Sequence, residues 1–245
     1  MQKVLACIDG STYAASVGDH AAWFAERMAA GIELLHVETG LTDAAEQALL
    51  SGVAGHLHDQ GVTSVSRRVG SGTFVDVVAR SGADLIVLGK RGADSQEERL
   101  VLGAHVDAVL RATVVPVCLT SKIFLPIERV LVVLDSNPDH RAALAFAMSH
   151  PGLAGLSLDL VVTTATGEDT SAKIALARDE LRGQEAEVFA VEADRPGAAV
   201  EGYMASRGID LIVISRAALM PVGAPPLGPI NPTGLWNART PVIVC

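Results

Sequence analysis

A chain of 245 residues with 49% apolar and only 4% aromatic side chains has room for one large domain or two ordinary ones, and its many Ala, Val and Leu suit helix contacts on a parallel sheet. The formal charge of −9 excludes a broad polyanion-binding face, so nucleic acid is not an expected partner, although a small phosphate site can sit within an acidic protein. No apolar run approaches the roughly 20 residues that span a bilayer, and the first strand starts at Gln2-Lys3-Val4 with no room for a signal peptide, so a cytoplasmic protein without membrane contact is expected.

In the first half, the apolar run 4–8 ends at Asp9-Gly10-Ser11, and Ala14, Ala15, Ala21, Ala22, Phe24, Ala25 and Met28 then recur at helical spacing. Gly31 is expected to close this helix. A strand over 32–37, a helix over 41–60 ended by Gly61, and a more polar strand over 62–69 follow. Ser71 and Thr73 fit as caps of a third helix over 73–80, after which come a strand over 84–88, a short helix over 105–111 and a strand over 114–120. Short apolar strands alternating with helices predict a parallel sheet covered on both faces and joined by right-handed crossovers.

The second half repeats the first. Lys3 to Asp9 aligns with Arg129 to Asp135, and Gly82 to Leu88 with Gly208 to Ile214, at one offset of 126 (135 − 9 = 210 − 84). Glu33 to Val37 falls on Asp159 to Thr163 at the same shift, and Pro116-Val117 matches Pro241-Val242 one residue short of it. Agreement across a whole half means duplication. Strands are expected over 129–134, 156–163, 187–191, 211–215 and 242–245, and helices over 139–149, 171–182 and 198–207. Two domains, 1–121 and 127–245, follow, joined by a Pro126-containing stretch too short for independent movement. They are expected to pack as an intramolecular pseudo-dimer.

Ligands of an open parallel sheet bind beyond the carboxyl ends of its strands, where strand order reverses. That rule selects Asp9, Val37 and Gly89. The fourth strand runs into Gly89-Lys90-Arg91-Gly92, and Gly103-Ala104-His105 opens the next helix. Glycines let backbone N–H groups approach an oxyanion, and a helix start adds unpaired donors, so phosphate is the natural guest. Lys90, Arg91 and Arg99 add positive charge, but Asp94, Glu97 and Glu98 oppose it, which leaves backbone donors dominant. The competing reading is that these glycines only shape a turn.

These motifs resemble the universal stress protein family in its tandem form, over the whole chain. The resemblance implies two five-stranded Rossmann-like domains of the adenine nucleotide alpha hydrolase type. Asp9-Gly10-Ser11, His36-Val37, Gly89-Lys90-Arg91-Gly92 and Gly103-Ala104-His105 occupy the positions of the family's ATP motif. It further implies that Asp9 and Val37 hold the adenine and ribose, and that Gly89, Gly92, Gly103 and the backbone of Ala104 and His105 hold the phosphates, with Ile8, Leu88 and Arg91 beside them. Ten residues separate Gly92 from Gly103 where the family has nine, and Ala104 replaces a hydroxyl residue. One lost hydroxyl bond costs roughly 1 kcal/mol, about fivefold to tenfold in affinity, so weakened binding is expected.

In the second half Ser215 and Ala218 stand where Gly89 and Gly92 do, and Pro221, Pro225, Pro226, Pro229 and Pro232 surround Gly228. Proline removes N–H donors, so this copy is expected to bind no phosphate. Asp135 reads as a helix cap, and the loop over 216–236 as a cover for the empty pocket or a contact for another chain. Cys7, Cys118 and Cys245, without paired spacing, read as reduced thiols. His56 and His58, two apart on a helix, read as surface residues and His36 as a core imidazole bonded to backbone; His105 stays open between phosphate contact and plain helix start.

The expected function is that of a stress-response regulator binding ATP or another adenine nucleotide, with Mg²⁺ as the accompanying ion. At most slow hydrolysis is expected, since no residue stands out as a catalytic base or protein-borne metal site. The alternative from another class is a nucleotide-independent protein-interaction module. An enzyme acting on another small molecule comes third. The expected assembly is a monomer with an internal pseudo-dimer, or a homodimer.

Overall fold

A computed structural model describes residues 2–37, 42–90, 104–134, 140–164, 169–181, 185–192, 196–219 and 239–245. The chain divides into two compact units, Met1–Phe124 and Leu125–Cys245, with the boundary inside the Pro126-containing stretch.

In the first unit the order is β1 (Lys3–Cys7), α1 (Ala14–Met28), β2 (Gly31–Val37), α2 (Asp43–Asp59), β3 (Val65–Gly70), α3 (Phe74–Ala79), β4 (Leu85–Gly89), α4 (Ala104–Ala112) and β5 (Val117–Thr120). The strands pair in parallel in the spatial order β3-β2-β1-β4-β5. From β1 the chain steps outward to β2 and β3, then returns to the other side of β1 for β4 and β5. The carboxyl ends of β1 and β4 therefore flank the reversal of strand order. His36 meets Glu46 of α2, whereas a Cβ at the Gly70 position would meet Leu35 on its own face of the sheet and Val77 of α3. Successive strand residues point to opposite faces, so α2 and α3 cover opposite faces of the sheet. That double cover explains why Leu5, Leu34, Leu85, Ile86 and Leu119 all reach 0% exposure.

The second unit runs β6 (Arg129–Leu134), α5 (His140–Ser149), a 3-10 turn (Pro151–Leu153), β7 (Ser157–Thr164), α6 (Thr170–Glu180), β8 (Ala186–Glu192), α7 (Pro196–Arg207), β9 (Leu211–Ile214), α8 (Arg216–Leu219) and β10 (Val242–Val244). Its strand order is β8-β7-β6-β9-β10, all parallel. The register repeats as well. Val4 lies opposite Ile32 and Leu85, and Val130 opposite Leu158 and Leu211, each 126 residues on (130 − 4 = 158 − 32 = 211 − 85). The last strand breaks the rule by one, since Ile86 pairs Val117 but Ile212 pairs Val242, 125 on (242 − 117).

Several expected boundaries move for local reasons. Helix α1 is closed not by Gly31, which already belongs to β2, but by Ala29, held left-handed at φ 50° while the Ala30 N–H reaches the Ala25 carbonyl at 2.8 Å. Strand β3 starts at Val65, three residues late. Strand β5 starts at Val117 because Pro116 has no N–H to give a ladder, and the Thr113 hydroxyl accepts the Val115 N–H at 3.0 Å in the turn before it. The 3-10 turn and α8 are elements the sequence pattern did not show.

The repeat also keeps an ionic cluster at the amino ends of the strands. In the first unit Lys3 Nζ reaches Glu33 Oε2 at 2.8 Å, Arg68 pairs with the other Glu33 oxygen, and the Lys3 N–H donates to Asp84 at 2.7 Å. In the second, Arg129 Nη1 reaches Asp159 Oδ1 at 3.2 Å, Arg207 Nε and the Tyr203 hydroxyl share Oδ2 at 3.4 and 3.0 Å, and the Arg129 N–H donates to Asp210 at 3.0 Å. Lys3, Glu33 and Asp84 map onto Arg129, Asp159 and Asp210 at the offset of 126, while the third cation comes from β3 in one unit and α7 in the other. Burial and the neighbouring Asp159 push the Tyr203 phenol up to about 12, which keeps it a donor.

Candidate functional site

Strands β2, β1 and β4 are adjacent, and their carboxyl ends bring Val37, Ile8 with Asp9, and Leu88 with Gly89 to one edge of the first unit's sheet. Asp9 shapes the turn that starts α1: its Oδ1 accepts the Ser11 N–H at 3.0 Å, and the Ser11 hydroxyl accepts the Tyr13 N–H at 3.2 Å. These side chains replace a conventional cap, since Tyr13 makes none. A Cβ placed on Gly10 meets nothing within 4 Å, so the turn is open at its tip.

At the β2 end the Ile8 N–H donates to the Leu35 carbonyl and the Ile8 carbonyl accepts from His36 Nδ1, both at 2.8 Å. A carbonyl can only accept, so Nδ1 carries the hydrogen. His36 is thus the backbone-bonded core imidazole expected from its strand. Its Nε2 faces Glu46 Oε1 at 3.7 Å, both side chains nearly sealed at 2% and 4% exposure. Glu46 was not singled out in the sequence, yet the signal was there: it lies on the stripe Glu46, Leu50, Val53, Leu57 that α2 buries.

Lys90, which follows β4, is 3% exposed rather than displayed, and its charge acts on buried His20 and Cys118. Arg91, Gly92 and Gly103 lie outside the described residues, as does most of the loop over 216–236. Ala104 and His105 open α4; the His105 side chain is exposed, its ring 5.6 Å from that of Phe74 on α3. His56 is half exposed and meets Asp19 at 2.8 Å, and Thr73 accepts the Asp76 N–H at 3.3 Å as a cap. Cys7, Cys118 and Cys245 are free thiols, and burial pushes the first two up to about 12.

Behind the site, His20 forms a polar cluster within the apolar stripe of α1. Its Nδ1 donates to the Ser16 carbonyl at 2.7 Å, the Ser16 hydroxyl donates to the Ser121 carbonyl at 2.8 Å, and the Ser121 hydroxyl donates to the Ile123 carbonyl at 2.7 Å. The ring packs edge-on against Phe124 at 4.9 Å. Burial, with Lys90 adding to it, lowers the imidazole from 6.5 to about 4 against opposing help from Ser16 and Asp19. This cluster fastens α1 to the segment after β5.

The equivalent edge of the second unit is built differently. Ser215 is buried, α8 begins at the next residue, and the Arg216 N–H is taken by the Cys245 carbonyl at 2.7 Å. Where the first unit has Gly89 and Lys90, the second therefore has a buried serine followed by a helix turn whose first N–H, that of Arg216, is already taken. A cleft of about 380 Å³ lies at the opposite, amino edge of the first unit between Gln2, Lys3, Gly31, Thr63 and Ser64. Its backbone groups satisfy one another, Gly31 N–H to Gln2 and Ile32 N–H to Ser64, and Lys3 is held by Glu33. Among the described residues no helix is long and apolar enough to cross a membrane, and no group of three or more His, Cys, Asp or Glu could hold a metal ion.

Comparison with known proteins places this geometry. The model of the universal stress protein family matches residues 1–121. A universal stress protein of Synechocystis sp. is 26% identical, with 70% of this chain and 73% of the relative covered. Among solved structures, a universal stress protein from Archaeoglobus fulgidus matches with a TM-score of 0.76 at 20% identity, covering 99% of this chain and 97% of that one. A protein from Pseudomonas aeruginosa described as a putative universal stress protein gives 0.71 at 19% identity, covering 100% and 92%. The likeness of the structures is one of fold, and it extends over both Rossmann-like halves. With the family model on the first half, a relative spanning most of the chain and the same fold repeated in the second half, the chain belongs to the universal stress protein family.

Proposed function

We propose that the first unit binds an adenine nucleotide, ATP or a close relative with Mg²⁺ on its phosphates, and that occupancy of this single site is the signal of a stress-response regulator. The observation that carries this reading is the convergence of Asp9, Val37 and Gly89 on adjacent strand ends at the reversal of strand order. Asp9 offers a carboxylate to ribose hydroxyls, Val37 a backbone group to the base, and Gly89 a surface without Cβ to the polyphosphate. Arg91, Gly92, Gly103 and the backbone of Ala104 and His105 would hold the phosphates, and the metal ion would neutralise their charge. The second unit, with Ser215 and the spent Arg216 donor, serves as a built-in partner without a phosphate site.

A thermal shift with MgATP tests this. At one hundred times Kd a ligand adds about 2.7 kcal/mol, which for a chain of this size is a rise of about 5–10 °C. Gly92→Val and Gly103→Val should abolish the rise. A parent melting curve unchanged at millimolar MgATP overturns the reading.

A further inference from the structure

In a parallel ladder, alternate residues of a strand bond to opposite neighbours. In β2 the Gly31 N–H turns to Gln2 on the β1 side at 3.0 Å, and the Ile32 N–H to Ser64 on the β3 side at 2.9 Å. Val37 is an even number of residues beyond Gly31, so its N–H faces β1, and the rung due to it ends at the Ile8 carbonyl. Among the described residues that rung is not made. The β1–β2 register stops at Cys7 against Leu35, the last bond is Ile8 N–H to the Leu35 carbonyl, and the Ile8 carbonyl accepts from His36 Nδ1 instead. Val37 is only 8% exposed, so its N–H is a buried donor left over where the sheet ends, and buried N–H groups seldom stay unpaired. The imidazole that takes its acceptor is held in place, sealed against Glu46 with Nε2 outside hydrogen-bond reach of that carboxylate and without a hydrogen-bond partner among the described residues.

We infer that His36 is a positioning residue of the nucleotide site: by holding the Ile8 carbonyl it keeps the Val37 N–H out of the sheet ladder and available to a ring-nitrogen acceptor of the base. The inference rests on the adenine-nucleotide reading above and names the device that readies its base end. His36 touches no ligand; it acts through Ile8. Without the imidazole donor, the Ile8 carbonyl turns back to Val37, the rung closes, and the donor is lost to the ligand.

His36→Phe keeps a ring and removes the donor, His36→Asn places an amide N–H where Nδ1 stands, and His36→Val is a second donor-free variant suited to a strand. The readouts are hydrogen exchange of the Val37 amide in the ligand-free protein by NMR, and affinities for adenosine and for inorganic tripolyphosphate. In the donor-free variants the Val37 amide should exchange more slowly and adenosine should bind about tenfold more weakly, the scale of one hydrogen bond. Tripolyphosphate affinity should stay that of the parent, and His36→Asn should restore both adenosine binding and fast exchange. A general loosening of the fold predicts faster exchange and loss on both probes, and that result overturns the inference, as does parent-like adenosine binding in a folded donor-free variant. A parent that binds neither adenosine nor MgATP overturns the nucleotide reading and the ligand half of the inference together. In such a protein, unchanged Val37 exchange in the variants removes the structural half as well.

Discussion

His20 gives the structure a pH dependence that can be worked from its surroundings. The side chain is 0% exposed, and burial lowers the imidazole from 6.5 to about 4. Between those values the unfolded chain binds the proton and the folded chain does not, so acid favours unfolding. The contribution is fully present above about 6.5, in the unfolded range for histidine, and is lost as the pH falls toward 4. At about 1.4 kcal/mol per pH unit the whole effect is roughly 3 kcal/mol, of which about 2 kcal/mol is gone by about pH 5. His20→Asn removes the titration while its amide N–H stands where Nδ1 donates to the Ser16 carbonyl. It also loses the edge contact with Phe124, so the variant is less stable at every pH, and the slope is what reports on the proton. Urea unfolding of both proteins from pH 8 to 5 is the assay. The parent should lose about 2 kcal/mol more than the variant over that range. Parallel curves refute the reasoning, because they mean that His20 is as easily protonated folded as unfolded.

The ionic clusters predict a graded pair: Asp159→Asn should cost about 2 kcal/mol and Glu33→Gln about 1 kcal/mol in urea unfolding, both below the 3–5 of a fully sealed pair because the cations are about one-third exposed. A larger cost for Glu33→Gln contradicts the ranking. Burial raises the Glu33 carboxyl, but the hydrogen bonds and charges of Lys3 and Arg68 outweigh it and hold the group below its usual range. Its stabilisation is therefore present above the ordinary carboxylate range and lost as the pH falls through the lowered folded value, so Glu33→Gln should flatten the acid limb; an unaltered limb speaks against the ion pairs. Ala29→Gly should relieve a left-handed alanine and raise Tm by about 2–4 °C, and a fall in Tm means the φ of 50° is not strained. Cys7 and Cys118, pushed to about 12 by burial, should resist Ellman's reagent at pH 8 in the native protein and react in urea.

The fold was legible because its pattern is written twice. Strands read as short apolar runs, and the offset of 126 that aligns Asp9 with Asp135 reappears as the offset of the strand register. What escaped were features that depend on neighbours distant in sequence or on a single dihedral. Nothing in the composition of Ala29 announces a left-handed cap with Gly31 two residues away. The edge residues Asp9, Val37 and Gly89 could be selected because strand ends at a topological reversal follow from element order alone. The polar groups behind that edge needed coordinates. Lys90 reads as a cation beside glycines, yet it is buried, and His20 and Glu46 sit on helix stripes whose apolar neighbours draw the eye.

The central claim is one adenine-nucleotide site per chain, in the first unit. Isothermal titration of the full-length protein with MgATP, alongside Gly92→Val and Asp135→Ala, tests it most directly. The account predicts one bound nucleotide per chain, lost in Gly92→Val and kept in Asp135→Ala; two per chain, or binding that survives Gly92→Val and disappears with Asp135→Ala, contradicts it.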